Sequence, residues 1–337
     1  MNDSIKPVSI PRESIALSDD LVRVLANTSI PEYVIKYAPL VFLDKSDQFN
    51  PSDLSAHVAN THPTVDFSPV DITPLGLDGL DKLNDLGGEE VYLTSTESLD
   101  TIPGYLHGQA PNKKTLQTEN AVSAVIIVVE KGDGVVDAFY MYFYTFNQGP
   151  SAIGKDNIAF VGTPADRIRE HNMIRFRDGM PTVVWYSQHE YGQAFLYYAP
   201  EKIGGRPIAY SAKGSHANYA FAGKHDLHDD NDQIPENIAF DHTSRGLLWD
   251  PTLSAYYYTY SLETKRFSPV PEETPVDYLY FNGRWGDQEF ADDMPGQSSF
   301  HGFHKFTGGP QGPWFKHLDR EDVCLPHGVP CEVKASL

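Results

Sequence analysis

Residues 121–147 constrain the fold more than any other part of the chain. AVSAVIIVVE is a β-branched apolar run, Lys131-Gly132-Asp133-Gly134 is a turn, and VVDAFYMYFYTFN returns with apolar or aromatic side chains at almost every position. Two such runs joined by a Gly-containing turn predict a β-hairpin. Successive side chains of a strand point to opposite faces, so a strand that is apolar on both faces must lie between two layers. The chain therefore needs enough apolar material to cover a sheet twice. With 337 residues, 40% hydrophobic and 12% aromatic, it has that material.

The rest of the sequence repeats the strand-and-turn pattern. Residues 171–177 and 181–189 flank Asp178-Gly179, which predicts a second hairpin. Residues 30–43, 193–198, 207–211, 255–261 and 276–282 also read as strands, the last two rich in tyrosine. Short helices are expected after Ser18-Asp19-Asp20 and from Pro51-Ser52-Asp53, where the residue types suit a helix start. Residues 60–118 read as loops with a few short strands. Short turns outnumber crossover helices, which predicts a mainly β fold: an antiparallel β-sandwich or distorted jelly roll with a few short helices. The expected organisation is an N-terminal arm over residues 1–18, a single β-rich domain over 19–325 and a C-terminal tail over 326–337.

Charge narrows the partners. A net charge of −20 repels phosphate backbones and anionic lipid, so no nucleic-acid partner is expected. No stretch reaches the ~18 apolar residues of a spanning helix. The first twenty residues lack the basic and apolar regions of a signal peptide. Cys324 and Cys331 could close one small loop, but there is no zinc-finger spacing. No phosphate-cradling or dinucleotide glycine motif occurs, so no cofactor is expected.

Chemistry-bearing residues concentrate between Phe139 and Asp250. In the second hairpin, Glu170 and His171 enter one arm and His189 leaves the other, so an acid/base pair could form across the ladder. Glu170 and His171 themselves should face opposite ways. A polar pair at a sheet edge is the blander reading. Ser215 and His216 lie in the turn-like GSHANY, which lacks nucleophile-elbow spacing. Asp241 could orient a histidine, with His242 beside it. Two of these histidines and a carboxylate would make a divalent metal site arithmetically, without HExxH or HxH spacing to support it. Tyr142, Tyr144, Trp185 and Tyr210 are candidate pocket walls, with Asn147 and Ser215 as polar anchors for a small apolar molecule. Core packing is the default for such tyrosines.

Several blocks resemble one family. YAPLVFLDKSDQFNPSDL from Tyr37, FYTFN, IRFRDGMPTVVWYSQH, YSAKGSHANYA, DHTSRGLLWDPTL, NGRWGDQEF and KFTGGPQGPWFKHLDREDVC are similar to the Vps62-related proteins, in a fungal version. The resemblance runs from Tyr37 to Cys324 and implies a β-rich single domain. It carries no catalytic residues over. It departs from the family where a Gly-Asp-Trp-Glu-His run is usual: here Asp166-Arg167-Ile168-Arg169 precede Glu170-His171. That departure suggests a changed site. The expected function is an enzyme of specialised metabolism, a cyclase, isomerase or hydrolase acting on a small apolar natural product. The alternative is a non-catalytic binding or vacuolar-trafficking module, and a glycan-acting sandwich is a weaker third. The expected location is cytoplasmic or vacuole-associated.

Overall fold

The computed structural model describes residues 28–72, 75–97, 102–149, 151–152, 171–189, 191–227, 239–295, 297–300, 303–304, 306–326 and 330–337. Its centre is an eight-stranded sheet in the order Arg266–Val270, Ala255–Ser261, Ala124–Gly132, Val135–Tyr142, His171–Arg177, Met180–Gln188, Tyr191–Leu196 and Val333–Lys334. Neighbours are antiparallel except Ala255–Ser261 against Ala124–Gly132 and Val333–Lys334 against Tyr191–Leu196. Both expected hairpins form. Asp178 and Gly179 both have positive φ, as a two-residue primed turn requires.

The sheet is covered on both faces. Ile126, Val128, Tyr140, Tyr142, Ile174 and Tyr186 pack on one side against Val41, Ala209 and Trp249. The last three come from a smaller sheet ordered Lys202–Ile203, Arg206–Ser211, Leu40–Phe42 and Leu248–Trp249, with Asn218–Tyr219 also paired to Arg206–Ser211. Val125, Ile127, Phe139, Met141, Met173 and Trp185 face the other way, onto Leu54, Val58, Leu80, Leu93, Tyr278 and Trp285. The chain is mainly β and layered, as the hairpin of residues 121–147 implied.

Two readings need correction. Residues 30–43 are not one strand: Glu32–Lys36 is a helix, and only Leu40–Phe42 is extended. Its adjacent Val34 and Ile35 are both buried, and Tyr33 turns its ring onto Phe176 at 4.9 Å. Tertiary burial thus overrides the β-propensity of the run. Residues 276–282 carry a 3-10 turn, Asp277–Tyr280, in which consecutive Tyr278 and Leu279 are both buried, a pattern no two-faced strand needs. The helix expected after Ser18 lies outside the described residues. The one expected near Pro51 forms as Leu54–Ala59, and Asp53 caps it by accepting from the Ala56 N–H at 2.7 Å.

Residues 326–337, set apart above as a tail, supply the last strand of the large sheet, and a Cys324–Cys331 disulfide stands just before it. Beside that strand, Gly192 lies beneath an indole. A Cβ there would sit 2.2 Å from Trp185 Cζ2 and 2.5 Å from the Tyr186 carbonyl oxygen. Gly192→Ala should therefore destabilise by about 1–3 kcal/mol, read as a lower melting temperature. An unchanged melting temperature would mean that the indole does not cover Gly192.

Candidate functional site

The site is built where three loops meet the end of the smaller sheet. The Arg206–Ser211 strand runs into a tight turn closed by His216 N–H to Ala212 O at 3.0 Å and Ala212 N–H to Ala217 O at 2.9 Å. Gly214 (φ 78°) permits the turn, and a Cβ there would lie 2.8 Å from the Gly149 carbonyl oxygen. The loop before Gly149 is laced to it: Gln148 N–H donates to Gly214 O at 2.9 Å, and Asn147 Nδ2 donates to Ser215 O at 3.2 Å. On the far side, Lys213 N–H donates to His242 O at 2.8 Å, which ties the turn to the Ala239–Thr243 strand.

That strand carries the hub. Asp241 is fully buried, and its two oxygens accept three hydrogen bonds: from Ser215 Oγ at 2.6 Å, His189 Nε2–H at 2.8 Å and Tyr219 OH at 2.8 Å. Burial alone would raise the Asp241 carboxyl. The nearby His189 and the three donors outweigh it and hold the group below the usual carboxylate range. His189 reaches Asp241 because it leaves the ladder after Gln188 in a left-handed conformation, φ 49°. Tyr219 stacks on His225, ring centroids 3.6 Å apart, and His225 Nε2 lies 2.9 Å from Thr243 Oγ1. Burial pushes the His225 imidazole down to about 4, so it is neutral near pH 7.

A second carboxylate supports the same turn. Asp47 accepts from Gly214 N–H at 2.8 Å and Phe49 N–H at 2.9 Å, and His216 Nε2 lies 3.3 Å away. Burial would raise Asp47 as well; His216 and these backbone donors bring it below its ordinary value. The His216 ring lies flat on Tyr144, centroids 3.8 Å apart, and its Nδ1 makes no hydrogen bond. His216, Tyr144, Tyr142 and Asn147 then line one wall of a cleft of about 80 Å³. Its other walls are Leu93, Tyr105, Phe143 and Trp285, with His57 and Asp287 among them.

The structure thus gathers His189, Ser215 and Asp241 at one hub, and places His216, Tyr142, Tyr144 and Asn147 along the adjoining cleft. It does not gather the others. His171 is buried elsewhere, its Nε2 3.3 Å from Arg320 Nη2 and its backbone in register with Met141, so no His171–His189 pair forms. His242 is exposed, because its neighbour Asp241 takes the inward side of the strand. Trp185 packs in the cluster on the opposite face of the large sheet. Tyr210 donates to Glu201 Oε2 at 2.7 Å and accepts from Arg245 Nε at 2.9 Å, away from the hub. Glu170 lies outside the described residues. Among the described residues, no three His, Cys, Asp or Glu side chains are arranged to hold a metal ion. No helix among them is long and apolar enough to cross a membrane. Sequence reasoning gave no role at this site to Asp47, Tyr219, His225, His57 or Asp287, although Asp47, Tyr219 and Asp287 lie inside blocks it had singled out and His225 inside an acidic loop.

Fold and site together define a layered, mixed-sheet β protein organised about a buried carboxylate hub. The chain is 35% identical to the putative vacuolar protein sorting-associated protein TDA6 of Saccharomyces cerevisiae, over 92% of this chain and 72% of that protein. It is 32% identical to vacuolar protein sorting-associated protein 62 of the same yeast, over 93% of this chain and 72% of that one. The chain belongs to the Vps62-related family. No protein-family model matches it, and no solved structure does.

Proposed function

We propose that this chain serves vacuolar protein sorting as a non-catalytic recognition module. The observation that carries this reading is the convergence of Ser215, Tyr219 and His189 on one carboxylate. Nucleophilic catalysis needs the hydroxyl proton handed to an imidazole, with the carboxylate behind that imidazole. Here the Ser215 hydroxyl and the His189 imidazole donate side by side to Asp241, so neither activates the other. The hub is suited to fixing the shape of the turn. The cleft beside it, about 80 Å³, falls short of the ~300–1,000 Å³ usual for a pocket that engulfs a whole small molecule. The names of the two yeast relatives support a sorting role. Expression in yeast lacking both relatives tests it: where their loss lets a soluble vacuolar hydrolase escape to the medium, the chain should restore its retention. Escape unchanged by the chain would reject the reading.

A second reading, an acid/base enzyme acting on a small, largely apolar molecule, is favoured by one observation. The His189 side chain is about a fifth exposed (21%) while anchored to an ionised buried carboxylate. His189→Gln keeps a donor for Asp241 without a titrating ring. Recognition predicts that this variant complements like the wild type. Loss of complementation at an unchanged melting temperature would favour the enzyme.

A further inference from the structure

Asp287 is a carboxylate in need of a cation. It lines the cleft, partly buried, and its Oδ1 accepts a long hydrogen bond from Ser95 N–H at 3.2 Å. No Lys or Arg among the described residues lines the cleft. Burial pushes the Asp287 carboxyl up, and the backbone N–H groups of Ser95 and Asp287, with His62 nearby, offset this only in part. Buried carboxylates are ordinarily paired. Among the described residues that line the cleft, no Lys or Arg supplies such a partner, which leaves the role open to a ligand.

The walls specify what kind. Trp285 lies 5.8 Å from Phe143 at 71°, and the His57 ring runs nearly parallel to the indole at 5.8 Å and 21°. Tyr105 and the Tyr144–His216 stack complete an aromatic enclosure. Both nitrogens of His57 lack a partner, and burial pushes its imidazole down to about 4, so it adds no positive charge near pH 7. An unpaired carboxylate among aromatic faces attracts a weakly hydrated cation through charge and through the ring quadrupoles. An anion would meet no cationic side chain on the lining. The floor is kept low by two glycines, where a Cβ on Gly309 would fall 2.6 Å from Gly286 Cα. The volume of about 80 Å³ admits a head group and leaves the remainder of a ligand outside. A net charge of −20 enriches cations near the surface.

We propose that the cleft between Asp287, Trp285 and Tyr144 binds the ammonium group of a small organic amine. The site is separate from the Asp241 hub and does not depend on the sorting reading, because the test uses purified protein. Titration calorimetry with tetramethylammonium, choline and propylamine should give saturable millimolar or tighter binding. Dimethylbutanol, the neutral carbon isostere of choline, should not bind; equal binding of the isostere would overturn the proposal without any variant. Asp287→Asn should weaken the cations about tenfold or more while keeping the fold. No saturable binding by any cation, or full affinity in a folded Asp287→Asn, would also overturn it. Co-sedimentation with phosphatidylcholine vesicles, abolished in Asp287→Asn, would make the ligand a lipid head group and overturn the small-amine assignment.

Discussion

Asp250→Ala is expected to cost about 3–5 kcal/mol of folding stability, the largest loss of any single substitution considered. Asp250 and Arg206 form a two-pronged pair in the interior: Nη1 to Oδ2 at 2.5 Å and Nη2 to Oδ1 at 2.7 Å. Arg206 Nε also donates to Ala38 O at 2.8 Å, so the guanidinium joins the end of the Leu248–Trp249 strand, at Asp250, to the turn before Leu40. Burial would raise the Asp250 carboxyl, but Arg206 and the Thr252 donors hold it below the ordinary range. Removing the carboxylate takes the two-pronged counter-charge from a buried guanidinium and frees the Thr252 N–H and hydroxyl, which donate to Asp250 Oδ1 at 3.1 and 2.6 Å. The penalty comes chiefly from stranding one charge, so Arg206→Met with Asp250→Leu should recover most of it. Urea unfolding of both variants checks this. A loss under about 1 kcal/mol in Asp250→Ala would mean that water reaches Arg206.

The second large effect is loss of stability in acid. The His57 imidazole is held at about 4 by burial, against an ordinary 6.5. Between those values the unfolded chain binds a proton that the folded chain refuses, so stability rises with pH there and falls as pH drops from about 6.5 towards 4. For His57 the span is worth about 3 kcal/mol. His225, also brought down to about 4, adds in the same direction. Asp47, Asp241 and Asp250 extend the loss further, since each has a lowered folded value and gives up its contribution as pH falls through it. His57→Phe keeps a ring against Trp285 and removes the titration. Its acid limb should be shallower by about 3 kcal/mol in denaturant midpoints taken from pH 7 to pH 4. An unchanged limb would assign the acid loss to other groups.

Much of the architecture could be read from local patterns because those patterns are local in cause. Asp178-Gly179 sets a two-residue turn by its own backbone preferences, and Asp53 caps the helix it precedes. The two-faced burial of Val135–Tyr142 followed from alternation alone. The site was half legible. His189, Ser215 and Asp241 were all candidates, yet nothing in spacing said that they share one carboxylate, because the left-handed residue at His189 redirects its ring out of the ladder. Strand parity also separates neighbours: His242 had to face away once Asp241 faced in. The cleft was illegible for another reason. His57 comes from an early helix and Asp287 from a late loop, and only the packing of both against the large sheet brings them to one cleft. The helix at Glu32–Lys36 was hidden by β-branched and aromatic residues that tertiary burial had recruited for a different shape.

The parallel pairing of Ala255–Ser261 with Ala124–Gly132 has a kinetic consequence. The first hairpin can close as soon as Tyr142 exists, since its contacts are near in sequence. Its outer edge, however, waits for a partner made much later, with both hairpins of the large sheet already synthesised. Assembly of this sheet therefore depends on long-range closures, this one and the later pairing of Val333–Lys334, and its most apolar strand waits with a bare edge for the first of them. For a nascent chain, the interval before Ser261 appears is when association with other chains competes most directly with folding.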